Sequence, residues 1–176
     1  MCGQQVIQID LEGLNEDVQR FSFELGDAFF AAQAVRGGGQ PYKGSVAARI
    51  DGSKGVGCYE FSVHVEGNIT LPCDRCLDDM EQPITADSRL VVKRGEAGDN
   101  DGEVLMVDEV QRMVDLSWFV YETVELAIPI QHVHPEGVCN PKMLEVLANY
   151  EGGREEEKET DPRWKELEKL RTTIND

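Results

Sequence analysis

Two cysteines separated by Asp74 and Arg75, in the stretch CDRC at 73–76, have the type and spacing to do chemistry. A C-x2-C pair supplies two of the four nitrogen or sulfur ligands that tetrahedral zinc takes. Cys139, with His132 or His134, lies far downstream and could complete such a shell. The same spacing also serves a redox dithiol, in which a depressed thiol pKa makes one sulfur nucleophilic. Each reading meets an objection. A second C-x2-C is missing, and CDRC lacks the glycine common in tight zinc knuckles. A redox pair belongs at a helix N-terminus, whereas an acidic turn and Pro83 follow here. Arg75 would lower a neighbouring thiol pKa, while Asp74, Asp78 and Asp79 would oppose it. The expectation is therefore no cofactor, two thiols capping a hairpin, and Cys139 packed elsewhere as a small apolar residue. Zinc on Cys73, Cys76, Cys139 and His134 is the metal alternative, and a dithiol redox protein is the second.

The thiols must be positioned by what flanks them. Tyr59, Phe61, Val63, Val65, Ile69 and Leu71 alternate with Glu60, Ser62, His64, Glu66, Asn68 and Thr70. A period of two over this length predicts a strand, or two joined at Gly67-Asn68, with one wet face. Pro72 ends the run, because it has no N–H for a ladder. A second apolar run, 84–92, follows the acidic turn, which predicts a β-hairpin with the dithiol at its tip.

Strand patterns also occur around Ile7–Leu11, Phe21–Leu25, Val46–Ile50 and Val104–Val107. Within the ambiguous stretch 26–43, Asp27–Ala34 suits a short helix or a bulged strand, because periodicity does not separate the two, and Gly37-Gly38-Gly39 with Pro41 reads as a loop. Gly37-Gly38-Gly39 lacks the Lys-Ser or Lys-Thr ending of a phosphate-binding loop. The acidic loop at 93–103 fails the calcium-ligand spacing at Ala97. The helical pattern begins after Asp115 and stops at Pro129, and a second starts at Asn140-Pro141. Glu122 and Glu125 read as charged helix surface rather than as a catalytic pair. The predicted fold is α+β: an antiparallel β-barrel or strongly curved sheet of six to seven short strands, with two to three helices packed on it. One domain spans 1–150, with strands to about 107 and helices at about 116–128 and 141–150. A charged linker, 151–160, then leads to an amphipathic helix, 161–176, carrying Trp164, Leu167 and Leu170 on one stripe.

Charge narrows the function. The 176 residues carry a formal net charge of −17, and both the body and the tail are acidic. Such a surface repels polyphosphate, so nucleic-acid contact would be local or pass through a basic protein. No apolar run is long enough to span a bilayer, and the N-terminus lacks the basic and apolar regions of a signal peptide. Five unevenly spaced cysteines suit a reducing cytoplasm, the expected location.

The block LPCDRCLDDMEQPI, the later VDLSWFVYETVELAIPIQHVHPEGVC and the closing DPRWKELEKL resemble the YceD family. The resemblance runs from about Gly44 onward. It implies a role in accumulation of large-subunit ribosomal RNA, hence ribosome biogenesis without catalysis. The family's marked positions fall on Cys73, Arg75, Cys76, Leu77, Asp115, Glu122, Pro129 and Cys139. Many relatives continue with further cysteines where this chain has Asn140-Pro141-Lys142, a departure that argues against a cluster-type metal site. The expected partner is a ribosomal protein or a pre-ribosomal particle, with no small-molecule substrate and no membrane. Asp74, Arg75, Trp164, Leu167 and Leu170 are the candidate contact residues, and Arg75 could alternatively pair with Asp78 or Asp79.

Overall fold

The computed structural model describes residues 6–38, 41–95 and 104–151. In chain order these form β1 (Gln8–Asp10), a 3-10 turn (Leu11–Gly13), β2 (Gln19–Leu25) and α1 (Asp27–Gly37). There follow β3 (Lys43–Lys54), β4 (Tyr59–Pro72), β5 (Asp79–Arg94), β6 (Val104–Val107) and β7 (Met113–Asp115). Two further helices, α2 (Ser117–Leu126) and α3 (Pro141–Glu151), complete the described elements. The terminal stretch with Trp164, Leu167 and Leu170, the charged linker after Glu151, and residues 96–103 of the acidic loop lie outside the described residues.

The α+β class holds, but no closed barrel forms among the described residues. The main sheet is open, in the order β2-β3-β4-β5-β6, and β1 pairs only with β7 in a separate two-stranded ribbon. Its first four strands are antiparallel; β6 returns parallel to β5, Val91 opposite Val104. The physical reason lies in what covers the apolar face. Val46, Ile50, Phe61, Val63, Val65, Ile69, Ile84 and Leu90 are buried along that face, within one core that also includes Phe29 and Phe30 of α1 and Val120 and Val124 of α2. Helices, not a sheet closing on itself, take this surface from water. Fully burying each such side chain contributes about 1.5–3 kcal/mol.

The ambiguous stretch 26–43 holds a helix. Phe29, Phe30, Gln33 and Ala34 form its buried side, and Gly38, at φ 71°, turns it off with its N–H on the Ala34 carbonyl. Strands β3, β4 and β5 are long rather than short, and β4 is one strand, not two. Its ladder to β5 runs unbroken from Tyr59 opposite Val92 to Pro72 opposite Asp79. The hairpin therefore extends beyond the expected start at Ile84, although Pro72 does mark its end. Strand β7, after the expected last strand at 107, escaped the sequence reading because three residues show no period. It ties the N-terminus to α2: Arg112 forks onto the Asp10 carboxylate at 2.6 to 3.1 Å, and the Ile7 N–H donates to Ser117 Oγ at 2.8 Å.

Helix α2 spans 117–126, shorter than the expected 116–128. Asp115, the expected N-cap, instead ends β7 and accepts the Ser117 N–H at 2.9 Å, while Leu116 takes the cap position with no side-chain cap bond. Asn140 likewise accepts the Lys142 N–H at 3.1 Å, at the start of α3.

Gly67 shows why β4 continues through the Gly67-Asn68 joint. A Cβ there would collide with the Ser45 carbonyl oxygen and lie 2.6 Å from the Val46 Cα on β3. Both are backbone atoms that no rotamer change can move. Gly67→Ala is expected to lower stability by roughly 1–3 kcal/mol in urea denaturation, as overpacking does. Gly13→Ala, whose nearest contacts would be ordinary ones at 3.9 Å, should stay within about 0.5 kcal/mol of wild type. Equal midpoints for the two variants would refute the close-approach account.

Candidate metal centre

The β4–β5 ladder delivers Cys73 and Cys76 to the far end of the main sheet, where the chain reverses in a tight knuckle. The Cys73 N–H donates to the Asp78 carbonyl and the Leu77 N–H donates to the Cys73 carbonyl, both at 2.9 Å. Closing so small a loop puts Leu77 at φ 62°, the one non-glycine residue with positive φ among the described residues.

A second segment wraps this tip. Between α2 and α3 the chain runs 129–140, and Asp74 clamps it in place. The Asp74 N–H donates to the His132 carbonyl at 2.9 Å, and Asp74 Oδ2 accepts the His132 N–H at 2.8 Å. The His132 ring lies 3.4 Å from the same carboxylate. Asn140 Nδ2 donates to Asp78 at 3.1 Å, anchoring the other end of the segment. This clamp carries His134 and Cys139 to the dithiol.

The result is a set of four donors, Cys73, Cys76, His134 and Cys139, whose ligand atoms all lie within 4.8 Å of one another. The Cys73 and Cys139 sulfurs are 3.9 Å apart, and Cys76 Sγ is 3.3 Å from His134 Nδ1. Metal bonds of about 2.3 Å to sulfur and 2.0 Å to nitrogen give tetrahedral edges of about 3.8 Å and 3.5 Å. The spacing thus fits a four-coordinate site. The three thiols are buried in a small apolar cluster with Met80, Val133, Met143 and Leu144, apart from the main core. The cluster could hold a metal ion. Contrary to expectation, Cys139 packs not elsewhere but with the dithiol, because the wrapping segment carries it there; His134, not His132, joins it, and His132 is held by the Asp74 clamp.

The protonation states suit ligation in part. Burial works to raise the Cys73 thiol, but N–H groups of Cys76, His134 and Arg75 outweigh it and hold the thiol down at about 6. Burial also raises Cys139, to about 11, and hydrogen bonding to Cys73 and Cys76 adds to it. The hydrogen bond to Cys76 raises the His134 pKa. The pair Cys73 and Cys139 therefore shares one environment with opposite outcomes, decided by which sulfur receives backbone donors.

The remaining candidates divide. Asp74, Arg75 and Leu77 are exposed at the tip. Arg75 makes no ion pair among the described residues: Asp78 is engaged by Asn140 instead. Asp115 ends β7 just before α2, and Pro129 opens the wrapping segment. Glu122 lies away from the cysteines, beside a cleft of about 750 Å³ also lined by Arg49, Asp87, Arg89 and Leu126. That cleft holds a histidine–aspartate contact that the sequence reading missed, His64 Nδ1 to Asp87 Oδ1 at 2.8 Å. Cross-strand position in the ladder, His64 opposite Asp87, was its only signal. The other ring nitrogen faces Glu66 at 4.0 Å. No hydroxyl bonds to this ring among the described residues. Among the described residues, no helix is long and apolar enough to cross a membrane.

Neither the curated proteins nor the solved structures contain a match to this chain. A protein family does match. Its description is Large ribosomal RNA subunit accumulation protein YceD, and the match covers residues 61–171, from β4 through the knuckle and wrapping segment into the tail. With well over half of its length inside that match, the chain belongs to the YceD family.

Proposed function

We propose that this protein supports accumulation of the large-subunit ribosomal RNA as a non-catalytic assembly factor in the cytoplasm. Family membership across residues 61–171 carries this reading. The net charge of −17 supports contact through a basic ribosomal protein or an assembling particle rather than a broad grip on RNA. In this reading the tail segment with Trp164, Leu167 and Leu170 adds a second contact, and Arg75 supplies a specific one. Depleting the protein from cells should lower large-subunit ribosomal RNA selectively in a sucrose-gradient profile. Wild type should restore it, and a chain lacking residues 154–176 should restore it only in part. An unchanged profile on depletion would sink the assembly reading.

Within the same reading the Cys3His cluster is a structural zinc site that stiffens the knuckle. Three soft sulfurs with one imidazole, buried and without a carboxylate in the set, select zinc over harder cations. Zinc would supply rigidity here; the His134 N–H already donates to Cys73 Sγ, and the Asp74 and Asn140 clamps hold the wrapping segment that carries His134 and Cys139. The pH dependence follows from the thiols. Cys139 is protonated below about 11 and must lose its proton to bind metal, so affinity rises with pH across the neutral range. Below about 6, Cys73 must lose one as well, and affinity falls more steeply. Chelator competition between pH 6 and 8 should show one zinc per chain and a tightening of about tenfold per pH unit or more. Cys139→Ser should lose the ion at neutral pH. Sub-stoichiometric zinc with freely titratable thiols would overturn the site.

A further inference from the structure

The main sheet has two open borders, and they are finished differently. Along β5 the residues before Val91 have no strand beside them among the described residues. That border carries Pro83 and the carboxylates of Asp79, Glu81 and Asp87, features that discourage pairing with another chain. Strand β2 forms the opposite border. Its seven residues, QRFSFEL, all pair with β3 in an unbroken register, from Gln19 opposite Gly52 to Leu25 opposite Val46. On its outer side the backbone makes no hydrogen bond among the described residues. The strand contains no proline, lysine or bulge to block a newcomer.

The apolar face of β2 is also incompletely covered. Phe21 and Phe23 are half-buried, whereas Ile50 and Ala48, directly opposite them on β3, are fully buried. Each ring packs against the main core and leaves the rest of its surface to water. The other face of the strand carries Arg20 and Glu24, both exposed. Arg20 holds Asp51 with Nε and Nη2 at 2.7 and 2.9 Å, which leaves Nη1 for a carboxylate arriving from the outer side. Glu24 makes no ion pair among the described residues.

The order of these residues matches one occupant, the same strand of a second copy. We propose that two chains pair antiparallel through β2, about a two-fold axis at Ser22, and so join their five-stranded sheets into one. That register overlaps all seven residues. It sets Arg20 opposite the partner subunit's Glu24 at two symmetric contacts, and Phe21 opposite the partner subunit's Phe23 on the core side. A slip of one residue turns the rings to the wrong face. A slip of two shortens the overlap and loses both charge pairs, and a slip of four sets like charges together. Opposite charges and aromatic pairs facing across strands each stabilise a ladder, and the outer backbone groups of β2 gain partners. Each copy carries a net charge of −17, so the contact forms at physiological ionic strength, where repulsion beyond about 8 Å is screened. The pairing needs no ribosomal partner and stands apart from the assembly reading.

The test is charge reversal read by sedimentation equilibrium of the full-length chain at physiological salt. Over roughly 1 to 1,000 µM the wild type should pass reversibly from monomer to dimer. Glu24→Arg makes both contacts basic against basic and should weaken the dimer about tenfold or more. Arg20→Glu makes both acidic against acidic and should do the same. An equal mixture of the two variants sets basic against acidic at both contacts and should dimerise again. Because Arg20→Glu also gives up the Asp51 pair, a second readout uses the wild type and Glu24→Arg alone. Amide hydrogen exchange within residues 19–25 should slow as wild-type concentration rises, and this slowing should vanish in Glu24→Arg. A wild type that stays monomeric throughout the range overturns the pairing, as does a dimer that neither variant weakens. A mixture of two cooperatively melting variants that pairs no better than either alone overturns it too. Exchange within 19–25 that is slow at every concentration means that the chain covers its own border, and likewise overturns it.

Discussion

The continuous ladder between β4 and β5 is the constraint on which the rest depends. From Tyr59 opposite Val92 to Pro72 opposite Asp79, every inward residue of β4 meets an inward residue of β5. A slip of one position would turn Phe61, Val63 and Val65 to water and bring Glu60 and Ser62 into the core. The register is thereby locked along the whole hairpin, and the lock extends to its tip. Gly67 is the concession that makes this length possible, since the β3 backbone passes where a side chain would begin. Because the strands are long and their register fixed, the two tip cysteines are held by the main core although they pack in a separate small cluster.

That small cluster illustrates how acidic residues can serve structure in a chain with an excess of negative charge. Asp74 accepts and returns hydrogen bonds with His132, and Asp78 receives Asn140. These contacts determine that the 129–140 segment lies across the knuckle and that His134 and Cys139 face the dithiol. The carboxylates of Asp74 and Asp78 are engaged internally, while Arg75, Leu77 and Asp79 remain exposed at the tip. The backbone donors aimed at Cys73 also separate its acidity from that of Cys139, one atom row away in the same apolar pocket.

Much of this was legible in the chain itself. The alternation of β4, the stop at Pro72, the dithiol at a hairpin tip and the helix start at Asn140-Pro141 all follow from periodicity and capping chemistry, whereas the expected cap at Asp115 ended up as the last residue of β7. These are local signals, set by neighbours within a few residues. The helix at Asp27–Gly37 was ambiguous because its short apolar run suits either period. The closed barrel was not realised because strand patterns alone do not say what covers a sheet. Strand β6 was legible at Val104–Val107, but its parallel pairing with β5 depends on a crossover that carries no local signature, and the three residues of β7 show no period.

The sequence by itself determined which residues could act as ligands, where the hairpin turns and how strongly the surface repels polyanions, since each depends on side-chain type and short-range spacing. Only the tertiary structure decided that Cys139 and His134 join Cys73 and Cys76, over separations of about sixty residues, and that His132 is the clamp instead. The same holds for Leu77. Its left-handed backbone and exposure arise from closing the knuckle against the wrapping segment, a balance of distant hydrogen bonds and packing that no short window of residues contains.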